Sequence, residues 1–512
     1  MTIKRALISV SDKTGIEEVA KKLSDLGVKI ISTGGTSKVL KDAGVPVVDV
    51  SEVTGFPEIM EGRVKTLHPN VHGGLLAVRD SDEHMKEASD NEIEMIDLVI
   101  VNLYPFTETV AKEGVTEDEV IENIDIGGPS MLRSAAKNYK YVTVVTDPAD
   151  YEKVLTEIST NGDTSLETRR VLARKVFSLT YNYDEAINKY FREITGEPEL
   201  LDLHYEKVRS LRYGENPTQK AAFFRNPENG DSNITNAEVL HGKELSFNNI
   251  VDGDSALELV KEFGEPTAVF VKHNNPCGVA TRSSIEEAFV AAHKADPLSA
   301  FGCVVALNRE FTADMVDYMK ESKMFMEIII APSYTDEALK RLMTRKNLRI
   351  LRIGDFKIDL MKTDIKKVTG GLLIQTKDTH ELTPEDLKVV TKVKPTDEQI
   401  ADMLFATKVV KRVVSNSVVM AKGLTTVGVG AGQMSRVDSV FIAGHKAGDR
   451  AQGAVMSSDA FFPFPDGVEQ AASYGVKAII HPGGSIRDDE VIARADELGI
   501  AMVFSGRRYF KH

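Results

Sequence analysis

From Ala6 to Val145 short apolar runs alternate with stretches of helical spacing, and this alternation constrains the fold more than any other feature of the chain. Ala6–Ser11 reads as a strand. Ile16 to Leu26 follows with apolar residues at 16, 19, 20, 23 and 26, the spacing of one helix face, and Gly27 closes it. Val28–Ser32 is a second strand, Thr36–Ala43 a second helix ended by Gly44, and Val45–Val50 a third strand. Asp97–Leu103 is the most uniformly apolar strand, and Tyr141–Val145 another. Strands that alternate with helices predict an α/β fold with a doubly wound parallel sheet.

Residues 52–77 interrupt the pattern with glycine, histidine and little periodicity, and long irregular stretches inside compact domains are commonly functional. Helical spacing returns from Ser165 to Arg192. Gly196 and Pro198 then break the helix, which predicts domains at 1–196 and 197–512. Beyond the break, strands are expected at 268–272, 302–307, 327–331, 371–375, 417–421, 426–429, 439–443 and 478–481. A weaker break at 382–394 divides this part into two subdomains, with no exact internal repeat.

A chain of 512 residues exceeds one hydrophobic core. Its 77 acidic against 63 basic side chains give a net charge of −14. That balance argues against nucleic acid or an anionic membrane as partner, while leaving room for one small anion in a locally basic pocket. No apolar run approaches the ~18 residues of a spanning helix, and Ala6–Val10 is too short for a signal-peptide core. Two cysteines, Cys277 and Cys303, build neither a disulfide framework nor a four-cysteine zinc site. The expectation is a reduced cytoplasmic protein with no metal and no tightly bound cofactor.

Several polar motifs sit where strands end. Ser32-Thr33-Gly34-Gly35-Thr36 opens a helix, where glycines admit close approach and free N–H groups favour an anion; the plain alternative is a tight turn. Ser11, Asp12, Lys13 and Thr14 follow the first strand, as phosphate contacts or as a capped helix start. Arg63-Val64-Lys65-Thr66-Leu67-His68 is dense in donors, or simply a solvated basic loop. Asn102-Leu103-Tyr104 follows the most apolar strand. Asp125-Ile126-Gly127-Gly128 precedes a helix carrying Arg133 and Lys137, with an ordinary cap as the alternative. In the second part, Arg212-Tyr213 offers a guanidinium and an aromatic ring. Lys272-His273 ends a strand and pairs an ammonium with a candidate base, though strand-end histidines are commonly structural. Ser415-Asn416-Ser417 and Gly430-Ala431-Gly432-Gln433 are further polar loops, and the glycine spacing of the latter does not fit a dinucleotide fingerprint.

His204-Tyr205-Glu206 and Pro276-Cys277 are fragments of a zinc deaminase signature, but Ala280 stands where the second cysteine belongs. Nucleophilic triads, HExxH and a P-loop are missing as well.

In chain order, SVSDKTG, STGGT, GRVKTLHP, NLYPF, IDIGGPSM and AAKN resemble the IMP cyclohydrolase half of the bifunctional AICAR transformylase/IMP cyclohydrolase family. LRYGENP, VKHNNPCG, DPLSAFG, SNSV, GAGQMSR and SSDAFFPF resemble its transformylase half. The resemblance implies a methylglyoxal-synthase-like first domain and a second domain of two cytidine-deaminase-like subdomains without zinc. It implies the last two steps of purine biosynthesis: formyl transfer from 10-formyltetrahydrofolate, a cosubstrate, to AICAR, then closure of FAICAR to IMP. It implies a homodimer with transformylase sites across the interface.

By the same resemblance His273 is the base for formyl transfer, Lys272 its supporting cation and Asn416 an oxyanion partner. Arg212, Tyr213, Phe301 and Glu327 would touch AICAR, Gln433 and Phe461 would line the folate region, and His512 would reach the phosphate. Lys65, Tyr104, Asp125 and Lys137 are the cyclohydrolase candidates. Ser11, Lys13, Ser32, Thr33, Gly34, Gly35, Thr36, Arg63, Thr66, Asn102, Gly127 and Gly128 would cradle phosphate and ribose. Cys303 departs from the family's usual glycine. Two competing readings keep only the first domain, as a phosphate-binding lyase or as a ligand sensor.

Overall fold

The computed structural model describes residues 2–198, 201, 203–227, 230, 232–356 and 363–512. The chain divides into two compact units, Met1–Asp202 and Leu203–His512.

In the first unit β1 (Arg5–Ser9), β2 (Lys29–Ser32), β3 (Val47–Asp49), β4 (Leu98–Val101) and β5 (Thr143–Val145) form one sheet in the order β3-β2-β1-β4-β5, every pair parallel. The period-2 alternation of each strand fills two separate cores. Ile8, Ile30 and Ile100 pack with Ile16, Val19 and Leu23 on one face. Leu7, Ile31 and Val99 pack with Met131, Leu132 and Val176 on the other. Strand order reverses between β1 and β4, and at such a switch point the carboxyl ends of neighbouring strands open a crevice. The residues after β1, β2 and β4 border it.

The stretch 52–77 is less irregular than its sequence suggests. It holds a helix at Pro69–Leu76, with Pro69 at the first helical position and the His68 ring accepting from the Asn70 N–H at 3.2 Å. The glycines and histidines there had masked a helix that buries Val71, Gly74 and Leu75.

The second unit contains the same fold twice. β8 (Glu238–His241), β9 (Thr267–Lys272), β10 (Asn275–Thr281), β11 (Cys303–Leu307), β12 (Met326–Ala331) and β13 (Arg349–Arg352) form a sheet in the order β10-β9-β11-β12-β13-β8. After a hairpin of β14 (Thr363–Val368) and β15 (Gly371–Thr376), the strands β16 (Lys388–Val389), β17 (Val418–Ala421), β18 (Thr426–Gly430), β19 (Val455–Ser458), β20 (Ala478–His481) and β21 (Ala501–Phe504) repeat it as β18-β17-β19-β20-β21-β16. A further hairpin, β6 (Glu206–Leu211) with β7 (Ala221–Arg225), precedes both. Helices Phe247–Val260 and Asp397–Val410 hold equivalent places and share one core, in which Leu257, Val269 and Val271 meet Phe405, Val419 and Val429. The Val279 N–H donates to Thr426 Oγ1 at 3.0 Å, tying β10 to β18.

The expected strand at Ser439–Ala443 is instead the middle of helix Arg436–Ala447. The four-residue apolar run Val440–Ala443 suits either element. The deciding features are the cap, with Ser435 accepting from the Asp438 N–H at 3.3 Å, and the packing of Val440, Ala443 and Ala447 onto β18. Gly430 permits that approach: a Cβ there would lie 2.7 Å from the Ser439 carbonyl carbon.

His481 lies 1% exposed between the rings of Phe462 and Phe504. Burial, then the nearby Arg436 charge, pushes its pKa down to about 3, so the folded state keeps it neutral. Unfolding releases it to the ordinary value near 6.5, and the stability it contributes is full above that pH and lost as pH falls from 6.5 toward 3. Thermal unfolding of the second unit should therefore shift to lower temperature across that window. His481→Phe should flatten the dependence in the same melting series.

Candidate active sites

In the first unit a cavity of about 530 Å³ opens at the strand-order reversal. It gathers Ser11, Lys13, Thr33, Gly34, Gly35, Thr36, Arg63, Lys65, Thr66, Asn102, Tyr104, Asp125, Gly127 and Gly128, which lie far apart in sequence. Backbone order comes first. Asn102 Oδ1 accepts from the Ser11 and Asp12 N–H groups at 2.5 and 3.1 Å, and its Nδ2 donates to the Asp12 carbonyl at 2.8 Å, so the end of β4 shapes the loop after β1. Thr36 Oγ1 bridges the Val10 N–H and carbonyl at 3.1 and 2.9 Å. Helix Gly34–Asp42 begins at the cavity and presents N–H groups with the positive end of its dipole.

The chemistry-bearing groups face one another. The Asp125 carboxylate accepts from the Gly128 N–H at 2.8 Å, while the Asp125 N–H donates to Tyr183 Oη at 2.8 Å. Burial raises the Asp125 pKa above its usual value, against the opposing pull of the Gly128 and Tyr104 N–H groups and the Lys65 charge. Burial, with the charges of Asp125, Glu122 and Glu58, raises Tyr104 too, which keeps its phenol protonated. Lys65 Nζ stands 3.9 Å from Glu58. Arg63 forms a charged pair with Glu122 through both Nε and Nη2. An ammonium, a buried carboxyl and a phenol around a nest of N–H groups can bind an anion, hold a carbonyl oxygen and move a proton.

Two residues named from sequence do not line this cavity. Ser32 is fully buried, its Oγ donating to the Ile8 carbonyl at 2.7 Å. Lys137 is exposed in the last turn of helix Gly127–Lys137, ~15 Å along the axis from the end that meets Asp125. Conversely, Glu61, Glu122 and Met131 line the cavity and Tyr183 orders Asp125, with no local sequence signal for any of them.

In the second unit a cavity of about 740 Å³ is lined by Arg212, Tyr213, Lys272, His273, Phe301 and Glu327. The turn after β9 is built for it. His273 and Asn274 take φ of 52° and 62°, a left-handed pair that needs support. Asp252 accepts from the Asn274 N–H at 2.8 Å, Ser255 Oγ donates to Asn274 Oδ1 at 3.1 Å, and Asn275 Oδ1 accepts from the Val414 N–H at 3.1 Å. Lys272 Nζ donates to the Phe301 carbonyl at 2.7 Å. Asn249 Nδ2 donates to Glu327 at 2.9 Å, with Arg349 at 3.7 Å from the same carboxylate. Asn249, Asp252 and Arg349 were not legible from sequence.

Asn416, Gln433, Phe461 and His512 do not line this cavity. Asn416 Oδ1 accepts from Arg436 at 2.8 Å and its Nδ2 donates to the Gln433 and Met434 carbonyls at 2.9 and 3.2 Å. Arg436 is in turn paired with the fully buried Asp459. Phe461 is partly exposed, and His512 ends the chain with its ring 5.4 Å from that of Phe510. Burial pushes the thiol of Cys277 up to about 12 and that of Cys303 well above the usual range, so neither suits nucleophilic chemistry. Among the described residues no group of three histidine, cysteine or acidic side chains is placed to hold a metal ion, and no helix is long and apolar enough to cross a membrane.

A model of the MGS-like domain matches residues 15–130, and a model of the AICARFT/IMPCHase bienzyme matches residues 135–446. The chain is 55% identical to the bifunctional purine biosynthesis protein PurH of Acetivibrio thermocellus, across the full length of both. Its identity to the protein of the same name is 54% in Bacillus cytotoxicus, over 99% of this chain and 100% of that one. It is 53% in Ruminiclostridium cellulolyticum, over all of both chains. Matched from end to end by such relatives, and across most of its length by these two models, the chain belongs to the AICARFT/IMPCHase bienzyme family.

Proposed function

We propose that the chain catalyses the last two steps of purine biosynthesis. The second unit transfers the formyl group of 10-formyltetrahydrofolate to AICAR, and the first closes FAICAR to IMP, with domains at 1–196 and 197–512. The observation that carries this reading is the presence of two separate polar cavities, each assembled at strand ends from residues the family resemblance names.

In formyl transfer the 5-amino nitrogen of AICAR attacks the formyl carbon, the bond from that carbon to N10 of the folate breaks, and the amine's proton passes on toward N10. That amine is a weak nucleophile, so proton removal must accompany attack. His273 takes the proton and Lys272 stabilises the oxyanion. Arg212, Tyr213, Phe301 and Glu327 hold the nucleotide. The engagement of Asn416 within its own repeat, outside the cavity that Lys272 lines, supports a homodimer in which Asn416, Gln433, Phe461 and His512 complete the site of the partner subunit.

In cyclisation the carboxamide nitrogen attacks the new formyl carbon and water leaves. Both groups sit on one molecule, so holding the reactive rotamer is most of the task. Asp125 lies near the attacking amide, Lys65 and Tyr104 serve the oxygen, and Lys13, Arg63 and the Thr33–Thr36 turn hold the phosphate. The enzyme works in the cytoplasm, with no resident cofactor.

With Arg63 assigned to the phosphate alone, Arg63→Ala should raise KM for FAICAR about ten-fold with kcat within about two-fold. Steady-state cyclisation kinetics read this. The assignment as a whole is tested by supplying AICAR and 10-formyltetrahydrofolate and following tetrahydrofolate by absorbance and IMP by chromatography. Formation of both is expected, and a folded protein that leaves AICAR unconsumed would overturn it.

A further inference from the structure

Helix Arg436–Ala447 carries a bonded cation near each end. At its start, Arg436 Nη2 donates to Asn416 Oδ1 at 2.8 Å. Near its end, Lys446 Nζ donates to Asp296 Oδ2 at 2.7 Å and Ser299 Oγ at 3.0 Å, crossing from the second repeat to the first. Those two acceptors are the knot of the turn that follows helix Ile285–Ala295. Asp296 accepts from the Ser299 N–H at 3.0 Å and from the Ser299 hydroxyl at 2.7 Å, and its carbonyl accepts from the Ala300 N–H at 3.0 Å. Directly after the knot come the Phe301 carbonyl, which accepts from Lys272 Nζ at 2.7 Å, and the Phe301 ring, 5.2 Å from that of Phe325. The Gly302 N–H fixes the far side by donating to the Phe325 carbonyl at 2.8 Å.

An isolated pair between a 41% exposed lysine and an aspartate adds little to stability. Its position gives it another use. At its far end the 296–301 turn is held by the Lys272 bond to the Phe301 carbonyl and by the buried Ala300. At its start Arg450 donates to the Ala295 carbonyl, and Lys446 binds the Asp296–Ser299 knot itself, so both tie the turn to the neighbouring repeat. Movement of the turn by an ångström would carry the Phe301 carbonyl, and with it the Lys272 ammonium, off the reacting atoms, and such displacements cost rate steeply.

We propose that Lys446 is a positioning residue for formyl transfer: through Asp296 and Ser299 it holds the turn that sets Lys272 and Phe301. The inference rests on the reading of Lys272 as part of the transformylase site. Lys446 also lines, with Lys272 and His273, a smaller cavity of about 260 Å³, so direct contact with substrate is the rival role.

The test uses the full-length protein with Lys446→Met, Lys446→Arg, Asp296→Asn, Lys272→Ala and the Lys446→Met/Lys272→Ala double variant. Lys446→Met should lower kcat for formyl transfer about ten-fold, leave KM for AICAR within about two-fold, and alter the pH–rate profile. FAICAR cyclisation should be unchanged. Lys446→Arg should recover most of the rate, Asp296→Asn should reproduce the loss, and the double variant should be no slower than Lys272→Ala alone. If Lys446→Met unfolds on thermal melting, Asp296→Asn and the arginine variant decide. Wild-type kcat and pH profile in Lys446→Met beside an inactive Lys272→Ala would overturn the inference, as would a loss confined to KM. Full activity in Lys272→Ala would instead overturn the reading beneath it.

Discussion

Replacing Lys272 by alanine is expected to slow formyl transfer about a thousand-fold while FAICAR cyclisation keeps its wild-type rate. The loss corresponds to ~4 kcal/mol of barrier. It follows from where the ammonium stands: at the end of β9, beside His273, held to the Phe301 carbonyl at 2.7 Å and lining the larger cavity of the second unit. Alanine removes the charge nearest the proposed oxyanion and leaves the packing of β9 intact, because the strand's buried residues are Thr267 to Val271. Tetrahydrofolate release from AICAR and 10-formyltetrahydrofolate measures the first activity, and IMP formation from supplied FAICAR measures the second.

The second large effect concerns Asp125. Asp125→Asn should lower cyclisation about a hundred- to ten-thousand-fold without touching formyl transfer. The amide preserves the shape that accepts from Gly128 but removes the charge. Because burial holds the Asp125 carboxyl above the usual 3.8, the wild-type acid limb should also lie above that of an exposed aspartate, with activity falling as pH drops through the raised value. Gly128→Ala should act through the same group. A Cβ at 128 would lie 2.9 Å from both Asp125 Cγ and Leu103 Cδ2, closer than real contacts permit, so the carboxylate must move. A pH–rate profile of cyclisation for the three proteins reads both claims.

The N-terminal site was legible because a parallel α/β sheet gathers its strand ends at one edge. Ser11, Thr33 and Asn102 follow β1, β2 and β4, and β1 pairs with both of the others, so motifs about 20 to 90 residues apart were bound to meet. Lys137 shows where that logic fails, since motif proximity in sequence says nothing of the ten residues of helix that separate it from Asp125. Tyr183 and Glu122 were missed because their partners are set by tertiary packing. In the second unit the duplicated topology left no trace in the residues. Equivalent strands need only be apolar, and the turn after β9 bears His273 where the turn after β17 bears Gly423. Ser439–Ala443 was misread because the four consecutive apolar residues after Ser439 carry no period, and the cap at Ser435 was the signal that could have corrected it.

The central claim is that two independent sites share one chain, and mixing variants tests it most directly. Lys272→Ala and Asp125→Asn, each purified, should each fail to turn AICAR and 10-formyltetrahydrofolate into IMP, the first for want of FAICAR and the second while accumulating it. Combined in one vessel they should form IMP, because FAICAR released by one is closed by the other. A mixture that forms no IMP, although the aspartate variant releases FAICAR and the lysine variant cyclises FAICAR supplied to it, would contradict the account.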